Sequence, residues 1–348
     1  MFTPTYHITD QMLEWLSEIA QIKAMVDHAI LLPAREAHLR RATMIKMTHS
    51  STSIEGNTLE EYQVLQLADG KKVQAQSKDI REVQNYLNAL THIDTISHKF
   101  ELTQGDILAI HARVITGLVD TAKTGVLRRA PVYVVNTEPT GKEQLVYTPP
   151  AWQAVPRLLD DLTQWCNHSG AVHPIIRAGI LHYQFETIHP FTDGNGRVGR
   201  LLTLLHLYQS AWDFKKVLVL EDYYNKNRKN YYQALQTGAT YKKRDGVDIT
   251  PWLTYFIKGF WEESLRVKEQ ILSLQVGAGD ITARRLTTDE LRMIDFLVTM
   301  GKITSSDVVD ILKVPKRTAQ AKLKKLELYR IVKKIHAGPM TYYVVAPT

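Results

Sequence analysis

The chain has 348 residues, of which 44% are hydrophobic and 23% are charged, a composition typical of a soluble globular protein with two or three domains. The opening MFTPTYHITD lacks the basic and apolar pattern of a signal peptide, and no run of about 18 apolar residues predicts a membrane span. Cys166 is the single cysteine, which excludes an intramolecular disulfide or a thiolate-rich metal site and favours a reducing, cytoplasmic location.

The net charge of +7 is concentrated near the carboxyl terminus. Residues 281–348 contain 13 Lys and Arg against 6 Asp and Glu, whereas the other 280 residues carry 30 of each sign. Basic character therefore belongs to the last segment of the chain.

The spacing of apolar residues predicts helices along most of the chain. Residues 8–30 repeat apolar positions every three or four residues, with Thr9 as the helix cap. A second helix is predicted over about 33–54 and stops at Gly56, a residue that terminates helices well. Further helical patterns cover residues 79–97, 103–117, 151–167, 174–188, 195–211, 228–238 and 250–274.

Three segments interrupt these helices. Thr58-Leu59-Glu60-Glu61 predicts a capping box that opens another helix. Residues 131–149 place two β-rich runs around a Thr/Pro/Gly loop, which predicts a hairpin. The stretch VGAGDITARR, residues 276–285, is typical of a linker.

Residues 189–200, HPFTDGNGRVGR, form a glycine-rich motif with two familiar interpretations. Gly194, Gly196 and Gly199 match a dinucleotide fingerprint, but PIIRAGILHYQFETI before them predicts a buried helix and not the strand that a dinucleotide site requires. Gly194 and Gly199 also have P-loop spacing, but Leu201 replaces the Ser or Thr that ligates magnesium in a P-loop. The setting is therefore a helix, a loop and a second helix.

The residue types in this loop suit the binding of a polyphosphate. The amino end of the second helix offers unpaired N–H groups to an anion, and Gly194 and Gly196 allow close approach of the backbone. Arg197 and Arg200 lie three residues apart, so that both can point from one side of the first turn.

Two further side chains of the loop supply reactive chemistry. Asp193 is a hard oxygen ligand for Mg²⁺ shared with phosphate oxygens, and His189 can act as a general base near neutral pH. A base, a metal ligand, an anion site and two arginines within twelve residues indicate a site of nucleotide transfer.

HPFTDGNGRVGR matches the Fic family signature H-P-F-x-[D/E]-G-N-G-R-x-x-R at every specified position, and the resemblance extends over roughly residues 35–260. Fic proteins are helical enzymes that mostly transfer AMP from ATP to a hydroxyl of a target protein. The resemblance implies that His189 deprotonates the target Ser, Thr or Tyr, which attacks the α-phosphorus and expels pyrophosphate. It also implies that Asp193 holds Mg²⁺, or Mn²⁺, between the α- and β-phosphates.

The resemblance assigns further residues to ATP and to the target. The hairpin 131–149 corresponds to the family's flap, which docks an extended target segment by strand addition. The glycine backbone cradles the phosphates, the arginines bind further along the triphosphate, and two tyrosines resemble those that line the nucleoside pocket. The residues that it assigns to ATP are Gly194, Asn195, Gly196, Arg197, Arg200, Tyr231 and Tyr232.

The segment SSTSIEGN resembles the inhibitory motif [S/T]-x-x-x-E-[G/N] of Fic proteins that carry an amino-terminal inhibitory helix. Ser51 and Glu55 lie one helical turn apart and face the same way. The resemblance implies that Glu55 forms an ion pair with Arg200, which would leave ATP in an unproductive pose. In some relatives the same glutamate aligns water to remove AMP, so de-AMPylation is a secondary alternative.

The carboxyl-terminal sequence predicts helices over 304–312 and 315–328 followed by a β-wing, an order that resembles a winged helix-turn-helix. The predicted packing places Val308, Ile311 and Leu312 against Ala319, Leu323 and Leu326. The side chains expected to face outward are Lys316, Arg317, Gln320 and Lys324. DNA binding through residues 304–345 and contact with another protein are both left open.

The predicted fold class is mostly α, a Fic-type helical bundle with a β-hairpin flap and a carboxyl-terminal winged helix-turn-helix domain. The expected domains are 1–95, with the inhibitory helix at about 35–56, then the catalytic domain 96–275 and the winged-helix-like domain 276–348. The leading hypothesis is a self-inhibited protein adenylyltransferase, which forms a homodimer by analogy. The alternatives are a DNA-binding regulator that senses nucleotide and a relative that transfers phosphate or phosphocholine.

Overall fold

The computed structural model describes residues 2–29, 31, 33–99, 101–137, 143–274, 287–300, 302–329, 331–337 and 340–346. Two compact units are distinguished by their internal contacts. The first contains Met1–His28 and Arg40–Lys268, and the second contains Ala29–Leu39 and Glu269–Thr348. The predicted linker, residues 276–285, lies outside the described residues.

The helices follow the apolar periodicity of the sequence closely. Those up to residue 274 are α1 (Asp10–His28), α2 (Pro33–Ile54), α3 (Glu61–Ala68), α4 (Ser77–Ile96), α5 (Gln104–Ile115), α6 (Val155–His168), α7 (Pro174–Ile188), α8 (Asn195–Gln209), α9 (Leu220–Lys226), α10 (Arg228–Leu235), α11 (Tyr241–Arg244) and α12 (Thr250–Leu274). The short helices α9 and α11 were not predicted. Thr9 caps α1 as expected, since its hydroxyl accepts from the backbone N–H of Met12.

The predicted capping box at Thr58 is wrong. Helix α3 begins three residues later, with Glu60 as its cap and Gln63 as the reciprocal partner. The Thr58 hydroxyl instead donates to a carboxylate oxygen of Asp79 at 2.6 Å, a long-range hydrogen bond that no local pattern indicates. Gly56 ends the preceding segment as predicted, because it adopts a positive φ of 95°.

The core of the first unit is built around α7 and α8. In each of these 15-residue helices 12 residues are buried, as expected of helices that are covered on nearly every side. Apolar side chains of α4, α5 and α6 complete the same core cluster. The polar loop that joins α7 to α8 is therefore held by two rigid, buried elements.

The hairpin predicted over 131–149 is present in its described parts. Strands β1 (Val134–Thr137) and β2 (Glu143–Tyr147) pair in antiparallel register, with an irregularity between Val134 and Val135. Side chains of the strands and their approach remain exposed, among them Tyr133 and Leu145.

The second unit has its own apolar core. It contains α13 (Thr288–Met300), α14 (Ser305–Leu312), α15 (Lys316–Leu328), β3 (Val332–Ala337) and β4 (Met340–Val345), with the strands antiparallel. The predicted packing of α14 on α15 is confirmed by the core cluster, in which Val308, Ala319, Leu323 and Leu326 are buried and Ile311 and Leu312 pack against them. Helix α13 was not predicted.

Among the described helices, none combines the length and the apolar character needed to cross a bilayer.

Candidate active site

The loop between α7 and α8 carries the motif 189–200 and is fixed at both ends by unusual backbone conformations. His189 closes α7 in the left-handed region (φ 50°), and Gly194 precedes α8 at φ 83°. The Asn195 side chain locks the loop internally, because its oxygen accepts from the Phe191 N–H and its nitrogen donates to the Phe191 carbonyl, both at 2.9 Å. These bonds use the Asn195 amide that the resemblance assigned to phosphates, so its role there stays a prediction.

A histidine outside the motif supports the same loop. The ring of His111, on α5, stacks on Phe191 with centroids 3.6 Å apart and planes within 2°. The Gly125 N–H donates to His111 Nδ1 at 3.1 Å, so the ring carries its proton on Nε2 and donates it to the Asp193 carbonyl at 3.1 Å. Burial lowers the pKa of His111 to about 4, which keeps this donor neutral at physiological pH.

His189 is positioned by Arg128, which precedes the flap hairpin, as well as by α7. Its backbone N–H donates to the Phe185 carbonyl, and its carbonyl accepts from Arg128 Nε at 2.9 Å. Burial lowers the pKa of His189 to about 4, helped by the positive charges of Arg128 and Arg244. The imidazole is therefore neutral at pH 7 and has a lone pair available for a proton.

Arg128 ties both ends of the flap to this loop. Its backbone N–H donates to the Pro190 carbonyl, and its guanidinium reaches the carbonyl of Pro150 at 2.6 Å on the other side of the hairpin. The Tyr147 hydroxyl, at the end of β2, donates to the Thr187 carbonyl at 2.6 Å. The hairpin is thus anchored beside His189.

The amino end of α8 is the predicted anion site, and a carboxylate lies against it. The cap residue of this helix is Gly194, which has no side chain to hydrogen-bond the helix end. A Cβ placed on Gly196 would lie 2.4 Å from Glu55 Oε1, so glycine is required for the approach of that carboxylate. A negative group is stabilised here by the unpaired N–H groups and the helix dipole.

The predicted pair between Glu55 and Arg200 is present. Arg200 Nη2 lies 2.7 Å from Glu55 Oε1, Nε donates to the Ser51 hydroxyl at 2.8 Å, and Nη2 also donates to the Ser51 carbonyl at 3.0 Å. Burial opposes the charge on Glu55, but Arg200 and Arg197 together hold its pKa below the usual range. Arg200 Nη1 is buried with no hydrogen-bond partner among the described residues, and Arg200 is one of the residues that line a cavity of about 20 Å³.

Arg197 has different partners from Arg200. Its Nη1 lies 2.5 Å from Glu82 of α4 and its Nη2 lies 3.0 Å from Asp193. Glu82 also accepts from the Asn57 side chain at 2.7 Å, so Arg197 belongs to a buried polar network. Binding of Arg197 to a triphosphate stays a prediction, and it requires these contacts to be shared or broken.

Asp193 fits one ligand of a divalent cation that is shared with phosphates. Its side chain is 51% exposed, and one of its oxygens accepts from Arg197. In the described part of the chain no group of three or more His, Cys, Asp or Glu could enclose a metal ion. This arrangement suits Mg²⁺, which commonly takes one or two carboxylates and completes its shell with water and substrate oxygens.

The two tyrosines of α10 differ in their surroundings. Tyr231 is buried, its hydroxyl lies 2.9 Å from His182 Nε2, and its ring stacks on Tyr224. Tyr232 is 48% exposed, and its hydroxyl donates to the Ile54 carbonyl at 3.4 Å. Tyr232 is therefore the better placed of the two for contact with a nucleoside, and both assignments stay predictions.

Four residues with direct contacts to the site escaped the sequence analysis. Glu82, His111 and Arg128 lie 61 to 107 positions before His189 and belong to no motif. Glu186 is only three residues before His189, but a single glutamate at a helix end is too common to single out. They are found through the hydrogen bonds and ion pairs of the folded chain.

The Fic/DOC family profile matches residues 101–207. Protein adenylyltransferase fic-1 of Caenorhabditis briggsae is 28% identical over 282 residues, 79% of this chain and 50% of the relative. Protein adenylyltransferase Fic of Drosophila virilis is 34% identical over 177 residues, 47% of this chain and 33% of the relative. The chain spans at most half the length of these curated relatives.

A solved structure matches over the whole chain. The crystal structure of a Fic family protein from Desulfovibrio desulfuricans has a TM-score of 0.69 and 26% sequence identity, covering 100% of this chain and 99% of that one. The mostly helical architecture is thus shared with a Fic family protein.

Proposed function

We propose, from the Fic/DOC family domain that residues 101–207 form, that this chain is a self-inhibited protein adenylyltransferase. It transfers AMP from ATP to a Ser, Thr or Tyr hydroxyl of a target protein. The proposal depends on one observation, the loop that joins α7 to α8. It places a neutral His189 at one end and the amino end of α8 at the other, where Glu55 pairs with Arg200. The names of the relatives, which are protein adenylyltransferases, support the same reaction.

The chemical step needs one base and one anion site. His189 accepts the proton of the target hydroxyl, the hydroxyl oxygen bonds to the α-phosphorus, and the bond to the leaving pyrophosphate breaks with its electron pair. The N–H groups at the start of α8 and the guanidinium of Arg200 stabilise the negative charge that develops on the phosphates. Asp193 holds the divalent cation, Mg²⁺ or Mn²⁺, which neutralises phosphate charge when bound.

Inhibition follows from the position of the Glu55 carboxylate. It lies against Gly196 and bonds the same guanidinium that the γ-phosphate of ATP requires. Two negative groups cannot share this position, so ATP binds with its γ-phosphate displaced while Glu55 stays in place. Release of α2 from Arg200 is then the activating event.

The flap is the docking surface for the target. It offers exposed apolar side chains, Tyr133, Val135 and Leu145, beside strands that can pair with an extended segment. Because Arg128 and Tyr147 fasten the hairpin next to His189, a segment added to it presents its hydroxyl to the base.

The proposal is tested by protein labelling with α-labelled ATP in a cell lysate. Glu55→Gly raises labelling strongly, and His189→Ala in the Glu55→Gly protein abolishes it. Glu101→Gly, which removes one exposed acid elsewhere, leaves labelling at the wild-type level. Equal labelling by the wild type and Glu55→Gly rejects the inhibition, and labelling that survives loss of His189 rejects the base.

A second role is proposed for the carboxyl-terminal unit, which we infer to be winged-helix-like and to bind duplex DNA. Lys316, Arg317, Gln320 and Lys324 are all exposed on α15, the helix that follows the turn after α14. This face suits phosphate contacts, and binding weakens steeply as salt rises. No retention of duplex DNA by the full chain at low salt rejects this role, and retention without labelling by Glu55→Gly favours a nucleotide-sensing regulator.

A further inference from the structure

A buried carboxyl group lies on one side of the His189 ring. Glu186 stands on the last turn of α7, and its Oε2 lies 3.8 Å from His189 Nδ1, with the two side chains 12% and 22% exposed. Its other oxygen, Oε1, is buried and has no hydrogen-bond partner among the described residues. Glu186 therefore lies beside the base of the proposed reaction through Oε2, and its Oε1 makes no hydrogen bond to another described residue.

The beginning of α8 leaves room for this carboxyl group. A Cβ on Gly199 would lie 2.5 Å from Glu186 Oε1, so a side chain at position 199 would displace the acid. The glycine that matched a nucleotide fingerprint in sequence thus makes room for a glutamate that faces His189.

The charges around the pair come from several elements. Burial raises the pKa of Glu186 to about 7, while Arg200 of α8 and Arg244 of α11 favour its carboxylate form and Glu55 disfavours it. Burial, Arg128 and Arg244 disfavour a proton on His189, whereas a hydrogen bond to the Glu186 backbone carbonyl and the charge of Glu55 favour it. Glu186 can therefore gain or lose its charge near neutral pH. The fraction in the carboxylate form depends on whether the Glu55 carboxylate is nearby.

His189 needs a neighbouring negative charge to work as a base. Its environment, with burial and two arginines, opposes the imidazolium that forms when it accepts a proton. A carboxylate on the far side of the ring stabilises that cation and orients the other nitrogen towards the proton donor. Glu186 is the acid that lies at ion-pair distance from Nδ1.

We propose that Glu186, as a carboxylate, positions His189 and stabilises its protonated form during transfer. The inference rests on the proposed function, in which His189 is the base. The target O–H bond breaks as the proton bonds to His189 Nε2, the oxygen bonds to the α-phosphorus, and pyrophosphate leaves with the electron pair of its bond. Glu186 exchanges no proton in this step; it supplies the counter-charge at Nδ1. When Glu55 leaves, its negative charge no longer opposes ionisation of Glu186, so release of inhibition also prepares the base.

The first test compares Glu55→Gly with the double variant Glu55→Gly, Glu186→Gln in labelling kinetics. The glutamine keeps the shape of the side chain and removes its charge, so we expect kcat to fall about tenfold or more while KM for ATP stays within about twofold. Glu186→Asp in the same background restores part of kcat. The acidic limb of the pH profile, which reports ionisation of Glu186, is lost in the glutamine variant. Unchanged kcat and an unchanged pH profile overturn the proposal.

The control removes another buried acid of the same kind. Burial also raises the pKa of Glu263 on α12 to about 7, and this residue pairs with Arg266 in the same helix. Glu263→Gln leaves the acidic limb of the pH profile in place. If it removes the limb as Glu186→Gln does, the effect is a general result of losing a buried acid and the proposal is wrong.

A measurement that needs no enzyme activity separates this inference from the proposed function. NMR titration of the otherwise wild-type chain follows the His189 ring signals around pH 7, where Glu186 changes its charge. We expect these signals to shift with the ionisation of Glu186 in the wild type and to show no such step in Glu186→Gln, because the carboxyl group faces the ring. The same titration curve in both proteins overturns the inference even if adenylyl transfer is established. A step that is lost in Glu186→Gln supports it even if Glu55→Gly labels no protein, an outcome that rejects the proposed function alone.

Discussion

The two ends of the loop between α7 and α8 differ in whether their functional side chains are already bound to carboxylates of the protein. At the α7 end His189 is neutral, anchored to Arg128 and backed by Glu186. At the α8 end both arginines are already bound to carboxylates, Arg200 to Glu55 and Arg197 to Glu82. The base is thus in place, whereas the phosphate site is filled by the protein itself. On our proposal, inhibition of this enzyme therefore blocks productive binding of the triphosphate; His189 stays in position, and only the charge of the neighbouring Glu186 changes when Glu55 leaves.

The two carboxylates at the α8 end also differ from each other. Glu55 is 29% exposed and lies just after α2, where solvent and ligands reach it, whereas Glu82 is 7% exposed and shares its other oxygen with Asn57. A displaceable acid and a fixed one therefore hold neighbouring arginines. This contrast makes Glu55 a switch and Glu82 a part of the scaffold.

Removing Arg200 is expected to have the largest effect. In the Glu55→Gly protein, Arg200→Ala lowers AMP transfer by about 100-fold or more, because the guanidinium that stabilises phosphate charge is lost. The measurement is the initial rate of labelling with α-labelled ATP. Arg113→Ala, which removes an exposed arginine of α5, keeps the rate. A double variant that labels as fast as Glu55→Gly breaks the assignment of this loop end to phosphates.

Glu82→Gln tests whether Glu82 is a structural residue, in contrast to the inhibitory Glu55. It leaves the buried Arg197 with half of its carboxylate contacts, so the free energy of unfolding falls by about 2–3 kcal/mol in urea titrations. Labelling of target protein does not rise above the wild-type level. Activation comparable to that of Glu55→Gly would show that both acids inhibit, and the contrast between them would fail.

His111→Phe tests how firmly the loop is held. The phenyl ring keeps the stacking on Phe191 but loses the hydrogen bonds to Gly125 and Asp193, which costs about 1–3 kcal/mol of unfolding free energy at pH 7. The folded pKa of His111, about 4, lies below its ordinary value of 6.5. The unfolded chain therefore binds the proton more readily, and wild-type stability is lost as the pH falls from 6.5 towards 4.

The variant lacks this titration, so urea unfolding at pH 7 and pH 5 gives a smaller stability difference at the lower pH. A difference that is constant between these two pH values would contradict the neutral His111 of the folded chain.

The smallest expected effect is that of Tyr232→Phe. Only the 3.4 Å hydrogen bond to the Ile54 carbonyl is lost, so basal labelling rises by less than about twofold. The ring remains for a nucleoside, and KM for ATP is unchanged. Tyr232→Ala, in contrast, raises that KM if the residue lines the nucleoside pocket, and an unchanged KM would remove it from the ATP site.

Local patterns were sufficient for the helices and for the motif. Apolar periodicity predicted the bounds of α7 and α12, and the α7 pattern excludes a dinucleotide site, which requires a strand before the glycines. The Glu55–Arg200 pair was predicted through family resemblance and is present. These features depend on residues that are close in sequence or fixed by a specific signature.

Long-range contacts could not be predicted in this way. Thr58 bonds Asp79 and does not cap α3, and the carboxylate of Glu82 reaches Arg197 from a helix 115 positions away. His111 and Arg128 support the loop through backbone carbonyls, which any sequence provides and no pattern marks. Arg200 has a carboxylate partner that can leave, whereas the partner of Arg197 is fixed. This difference is therefore seen only in the folded structure.

The central claim, that Glu55 occupies the place of the γ-phosphate, is tested most directly by nucleotide affinities. The dissociation constants of ATP and ADP are measured by calorimetry for the wild type and for Glu55→Gly. We expect similar values for the two nucleotides in the wild type, and ATP bound about tenfold more tightly than ADP in the variant, as for one added charge-assisted contact. The same ratio of the two constants in both proteins would contradict the claim.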